Sequence, residues 1–389
     1  MSDVRRLLAL FLVVLGLAAS ARAQQAPAPP PEPSDEQKWV EDVRRTIPGD
    51  EIHAAAAEAE VQQSSDPLTA LAAKYKLAAP DWLKSRIESQ SASATLAALG
   101  DSVTAGTASC TFPYLWCPGN SWSTGDDVAT SVKRELEAQS GREVHGLLVA
   151  VPAVTMSAVP AESFVVFLAS VFGLNVERMT LLIGHNDPGV CGAPAPGAEA
   201  AFEKNLATSL RILGHVARKR GAKLVISGMV EVPVVARYAD VVPVGAAKSC
   251  RQLWADTGRC SELLDHRDDP AVGVRISTQI AAYDAILQRL SAGKNWILYS
   301  PTFNATSRGG VPNPEVNFSP LDCFHPSAAG QARLGRLAWS GDGAGSPGIA
   351  SFFALPPAPP APKEPPPAPA VSAGLRDELD AWRRADVRP

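Results

Sequence analysis

The chain has 389 residues, enough for one medium domain with extensions or for two small domains. It is 46% hydrophobic and 20% charged, an ordinary globular composition. A net charge of -4 supplies no basic field, which argues against nucleic acid or an anionic membrane surface as partner.

Taken in chain order, the first 23 residues read as a signal peptide. Arg5 and Arg6 precede an apolar core over residues 7–19, and Ala21-Arg22-Ala23 is an A-x-A cleavage site. The apolar core is short for a bilayer span, so no transmembrane segment is expected after cleavage. Export to the periplasm or medium follows. Residues 24–34 are Pro- and Ala-rich and read as a linker. Residues 35–92 have helical composition, punctuated by Pro48-Gly49 and Pro67, and form an N-terminal extension.

From residue 93 to about 350 the pattern changes. Short apolar runs at 96–99, 144–151, 179–183, 223–227 and 296–299 are strand candidates. Between them lie one-face helix spacings, such as Phe202, Leu206, Leu210 and Leu213, or Ile276, Ile280, Tyr283, Leu287 and Leu290. Strands alternating with helices predict an α/β fold with a mainly parallel, five-stranded sheet. Sites in such sheets form at the carboxyl ends of strands. Residues 164–174 are almost wholly apolar, either a core helix or a wall of an acyl-chain pocket. Residues 351–389 form a Pro-rich tail, with a short helix expected over 375–384 that could touch the cell envelope.

Six cysteines in an exported chain predict up to three disulfides. Cys110–Cys117 and Cys250–Cys260 can close local loops, which would leave Cys191 with Cys323. No Cys-x-x-Cys pair or zinc spacing occurs, so no metal is expected.

Three short motifs carry chemistry. Gly100-Asp101-Ser102 follows the first strand candidate, where a serine hydroxyl can project from the sheet edge beside backbone N–H groups. Ile183-Gly184-His185-Asn186-Asp187 ends the third, where Asn186 can donate to a developing oxyanion; His185 reads as a surface or loop histidine. Asp322-Cys323-Phe324-His325-Pro326 puts a carboxylate three residues before a histidine, close enough to fix its tautomer. Pro326 is expected to open a helix. Each motif alone has a plainer reading as a turn or a helix cap. Together, in order, they offer a nucleophile, an oxyanion donor and an acid–base pair.

These blocks resemble those of the GDSL/SGNH hydrolases over roughly residues 96–339. The segment Cys117-Pro118-Gly119-Asn120-Ser121-Trp122-Ser123-Thr124-Gly125 is similar to that branch of the family described as secreted and phospholipase-B-like. The resemblance implies a three-layer α/β/α sandwich, flavodoxin-like in outline. It implies Ser102, Asp322 and His325 as a catalytic triad, with an oxyanion hole from the Ser102 N–H, a second-block N–H and Asn186. In the matching stretch, Val151-Pro152-Ala153-Val154-Thr155, Ala153 stands where the family has glycine. It implies ester hydrolysis without a cofactor, on a lipid substrate by the branch likeness. The alternatives are a polysaccharide acetyl esterase and an inactive envelope-associated binding protein. A nucleotide binder is disfavoured, since the Ser102 loop has neither a P-loop lysine nor a Gly-x-Gly-x-x-Gly run.

Overall fold

The computed structural model describes residues 33–89, 93–110, 116–343 and 346–356. The expected signal peptide, most of the linker, and the tail from residue 357 with its helix lie outside the described residues. The described residues up to Leu355 form one compact unit.

Four helices come first: α1 (Asp35–Thr46), α2 (Gly49–Gln62), α3 (Asp66–Lys74) and α4 (Asp81–Ser89). Ser34 caps α1 by accepting from the Gln37 backbone, while the Gln37 side chain accepts from Ser34 N–H. The α/β part then runs β1 (Ala94–Gly100), α5 (Val132–Ser140), β2 (Val144–Leu148), α6 (Val159–Phe172) and β3 (Val176–Leu182). It continues through α7 (Ala198–Arg220), β4 (Lys223–Ser227), α8 (Cys250–Thr257), α9 (Pro270–Ser291) and β5 (Ile297–Ser300). It closes with α10 (Thr302–Arg308) and α11 (Ala328–Ser340).

All strand pairings are parallel, in the order β2-β1-β3-β4-β5. This is the flavodoxin-like doubly wound order, whose switch point lies between β1 and β3. The two-residue period of a strand sorts its side chains onto two faces. Ala97, Leu99, Met179, Leu181, Leu224 and Ile226 join one core with α6, α7 and α9. Leu96, Leu182 and Val225 face the other, with Val132 and Leu136 of α5 and Ala338 and Trp339 of α11. Helices thus cover both faces, a three-layer α/β/α sandwich.

The N-terminal helices belong to the first of these cores. Trp39 of α1 meets Trp82 of α4 edge-on at 5.9 Å and stacks with Phe172 of α6 at 6.4 Å. Ile52, Leu68 and Leu83 are also buried there. At the other end, packing continues past residue 350. Phe353 and Leu355 are buried, and Arg178 donates to the carbonyls of Phe353 and Ala354.

Here one open alternative is decided and one expectation is corrected. Every residue of α6 from Val159 to Ser170 is buried, and none of them lines the cleft beside Ser102. The apolar run is therefore a core helix and not a pocket wall. Cys110 pairs with Cys117, but the other disulfides are Cys191–Cys260 and Cys250–Cys323, not Cys250–Cys260 and Cys191–Cys323. The reason is α8, which starts at Cys250 and ends before Cys260. At 1.5 Å per residue a helix of that length spans about 12 Å, beyond the ~7 Å Cα limit of a disulfide. The observed Cα separations are 4.4 and 5.1 Å.

Candidate active site

β1 ends at Gly100, whose φ is +134° and where a Cβ would lie 2.0 Å from the Leu182 carbonyl oxygen. Only glycine fits so close to β3. The chain then turns helically: Ala105 N–H donates to Asp101 O and Thr107 N–H to Ser102 O. Asp101 Oδ1 accepts from Val103 N–H at 3.0 Å, fixing the first step of the turn. Ser102 is thereby held at the carboxyl edge of the sheet, only 7% exposed.

Asp322 and His325 arrive from a tight loop between residues 318 and 326. Phe318 and Pro326 bridge in antiparallel fashion, and Ser319 N–H donates to the His325 carbonyl. Cys323 adopts φ +47°, its carbonyl accepts from Trp254 Nε1 at 2.9 Å, and its sulfur bonds Cys250. This anchors the loop to α8. Pro326 does not open the following helix. It is engaged with Phe318, and Ser327 caps α11 by accepting from Gly330 N–H.

The loop and the turn meet. His325 Nε2 lies 2.8 Å from Ser102 Oγ, and His325 Nδ1 lies 2.6 Å from Asp322 Oδ2. Asp322 Oδ1 accepts from the backbone N–H groups of Phe324 and His325 at 3.0 and 3.1 Å. Burial alone would raise the Asp322 pKa. The adjoining His325 and these N–H donors outweigh it and hold the carboxyl below its usual value. An ionised Asp322 that accepts from Nδ1–H leaves Nε2 free to take the serine proton.

The stretch after β2, residues 151–156, is stitched to Asn186 and Asp187 after β3. Asn186 Nδ2 donates to Val154 O at 3.0 Å, and Asp187 Oδ2 accepts from Met156 N–H at 2.9 Å. An amide nitrogen carries two hydrogens, so one remains for a further acceptor. Asn186 and Ser102 line the same cleft. Ala153 is exposed, with φ +61°. The left-handed conformation that suits glycine is thus adopted by a residue with a Cβ, at a cost of about 1–2 kcal/mol. Burial pushes Asp187 up to about 7, against the opposing Met156 N–H.

His185 is not a surface histidine. It is buried, with Nδ1 2.9 Å from Asp101 Oδ2 and Nε2 accepting from Val230 N–H at 3.1 Å. Burial would lower its pKa, but Asp101 overcomes this and raises it. Two further groups had no signature in the motifs. Glu162 is fully buried in α6, where Oε2 accepts from Gly100 N–H at 2.8 Å; burial raises its pKa well above the usual range. Gln37 of α1 donates to Ala150 O at 2.8 Å, beside the second block. The one hint was a lone acid just ahead of an apolar run.

The cleft encloses about 950 Å3, counted to its open mouth, and is largely apolar. Val232 and Val235, in the seven-residue 3-10 helical segment Val232–Tyr238, form one side with Val311. Phe303, Phe318 and Leu334 form others. No His/Cys/Asp/Glu group among the described residues is arranged to hold a metal ion.

Fold and site together define a Ser–His–Asp relay at the switch point of an open parallel α/β sheet. No protein-family model and no curated protein matches the chain. Among solved structures, it is similar to a lipase/acylhydrolase from Enterococcus faecalis, with a TM-score of 0.39 and 17% identity, covering 62% of this chain and 92% of that one. It is also similar to a Corynascus thermopiles carbohydrate esterase family 2 enzyme with a carbohydrate binding domain. There the TM-score is 0.34 and the identity 14%, over 62% of this chain and 63% of that one. These superpositions are loose, and the functional reading rests on the site geometry.

Proposed function

We propose that the protein is an exported serine ester hydrolase with Ser102 as nucleophile. The observation that carries this reading is the continuous relay Asp322–His325–Ser102, at 2.6 and 2.8 Å. His325 Nε2 takes the Ser102 proton as Oγ attacks the ester carbonyl. The oxyanion is received by the Ser102 and Ala153 N–H groups and the remaining Asn186 amide hydrogen. His325 then protonates the departing alcohol. Water, deprotonated by the same imidazole, attacks the acyl-enzyme and releases the carboxylic acid, so one ester and one water give one acid and one alcohol. No residue of the relay requires a cofactor.

The substrate we propose is a lipid or other long-chain ester. The apolar walls at Val232, Val235, Phe303, Val311, Phe318 and Leu334 suit an acyl chain, whereas a sugar needs convergent donors and acceptors. Three disulfides and no free cysteine among the described residues suit an oxidising compartment. No described helix is long and apolar enough to cross a membrane.

The test is hydrolysis of p-nitrophenyl esters from acetate to palmitate. The wild type is expected to turn over the series and to favour chains long enough to fill the cleft. Ser102→Ala should lose on the order of 10⁴–10⁶ in kcat. Turnover by Ser102→Ala at the wild-type rate would remove the serine mechanism. A wild type confined to acetate would remove the acyl-groove reading.

A further inference from the structure

Three titratable side chains line the cleft: His185, Glu231 and Arg333. Two have their partners within the protein. His185 sits between Asp101 and the Val230 N–H. Glu231 accepts from Ser277 Oγ, with Arg308 Nε 3.7 Å away. Arg333 is different. It has no hydrogen bond or ion pair among the described residues, and the charge that acts on it is another cation, Arg336.

Its position is fixed by the helix that carries it. Gly330, Arg333, Leu334 and Leu337 recur at spacings of three and four and make one face of α11, the face toward the cleft. The opposite side is locked. Gln331 is fully buried, donating to Val103 O at 2.9 Å and accepting from Trp122 N–H at 3.0 Å. A Cβ at Gly335 would lie 2.6 Å from Thr130 O, so that turn is pressed against backbone. Turning this face of the helix away from the cleft would break the Gln331 bonds and the close approach at Gly335.

A half-buried guanidinium against apolar walls loses hydration and gains nothing in return. Burial, reinforced by Arg336, lowers its pKa. A planar donor fork of this kind is well matched to carboxylate or phosphate oxygens.

We propose that Arg333 is a specificity-determining residue that reads a negative charge, a carboxylate or a phosphate, borne by the ester substrate. This rests on the ester-hydrolase reading and narrows it: the preferred substrate combines an apolar chain with an anionic group. That group has two sources, a carboxylate at the far end of the acyl chain or a phosphate on the leaving alcohol.

The experiment compares kcat/KM within matched pairs, for wild type, R333M, R333K and S102A. The first pair is the p-nitrophenyl half-ester of a medium-chain dicarboxylic acid and its neutral ω-amide. The second is a monoacylglycerol phosphate and the corresponding monoacylglycerol, both as monomers. The wild type should favour the anionic member of at least one pair by about tenfold or more. R333M should bring that ratio close to one, and R333K should restore part of it. A misfolded fraction lowers both members alike and leaves the ratio untouched. The pair that responds locates the anion. A wild-type ratio near one in both pairs, or the wild-type ratio preserved in R333M, overturns the proposal while hydrolysis itself stands. Absence of turnover on every ester, or equal turnover by S102A, instead sinks the hydrolase reading on which it rests.

Discussion

At the scale of single residues, the relay depends on which form of each group is present. Asp322 is held ionised by His325 and two backbone N–H donors against the cost of its own burial. Asp322→Asn can keep those N–H bonds through its amide oxygen but loses the charge that fixes the imidazole. The expected outcome is a fall in kcat on the order of 10⁴ with an unchanged circular dichroism spectrum; near-normal turnover would remove Asp322 from the relay. Asp187 behaves in the opposite sense. Its carboxyl is raised to about 7 in the fold, against about 3.9 in an unfolded chain. The fold therefore prefers it protonated. That stabilisation is full below about pH 4 and is lost as pH rises through about 7. Asp187→Asn retains an acceptor for Met156 N–H and cannot ionise, so its melting temperature should fall less than that of the wild type between pH 5 and 8. Parallel curves would assign the pH dependence elsewhere. That Ser102, Asp322 and His325 come together was legible in the sequence, because residue type and spacing point to one another. His185 and Glu162 were not. Their burial is decided by partners 84 and 62 positions away, Asp101 and Gly100, which no local pattern reports.

At the scale of elements, five apolar runs sufficed to locate five strands, since buried parallel strands are continuously apolar. Their ends moved by a few residues: the run at 144–151 is strand only to Leu148, after which the chain bends toward Ala153. Cys110 pairs with Cys117 as their spacing predicts, but nearness in sequence fails for Cys250 and Cys260, which α8 holds apart. The observed pairs give α8 and the residues just beyond it a positioning role. Cys323 ties the Asp322–His325 loop to the start of α8, and Cys191 ties the loop after Asn186 to Cys260. Replacing Cys250 and Cys323 by alanine removes a bridge across 73 residues, which should cost about 4 kcal/mol by the chain-entropy account. Removing Cys110–Cys117, which closes seven, should cost about 2 kcal/mol. The first variant should also lose kcat more than it changes KM, because its loop carries His325, the proposed base. Chemical denaturation and steady-state kinetics read both effects. A Cys250/Cys323 variant as stable and active as the wild type would deny the strap any part in the site.

At the scale of the whole molecule, composition gave helices at the N-terminal end but not their destination. Amphipathic spacing says that a helix has an apolar face, not which surface covers it. The structure supplies the cover. Trp39, Ile52, Leu68 and Leu83 share a core with α6 and α7, and Gln37 reaches the strand end beside the second block. The extension is therefore part of the scaffold behind the site.

That placement has a temporal consequence. The chain is made from its N-terminus, and the end of α1 precedes the start of α6 by about 110 residues. At synthesis rates of about 5–20 residues per second, the part of the α1 face that α6 covers stands open for roughly 6–22 s. For that interval the nascent chain presents Trp39, Val40 and Val43 to whatever surrounds it. It is then a client for any factor that shields apolar surface, and the mature fold retains no trace of that exposure.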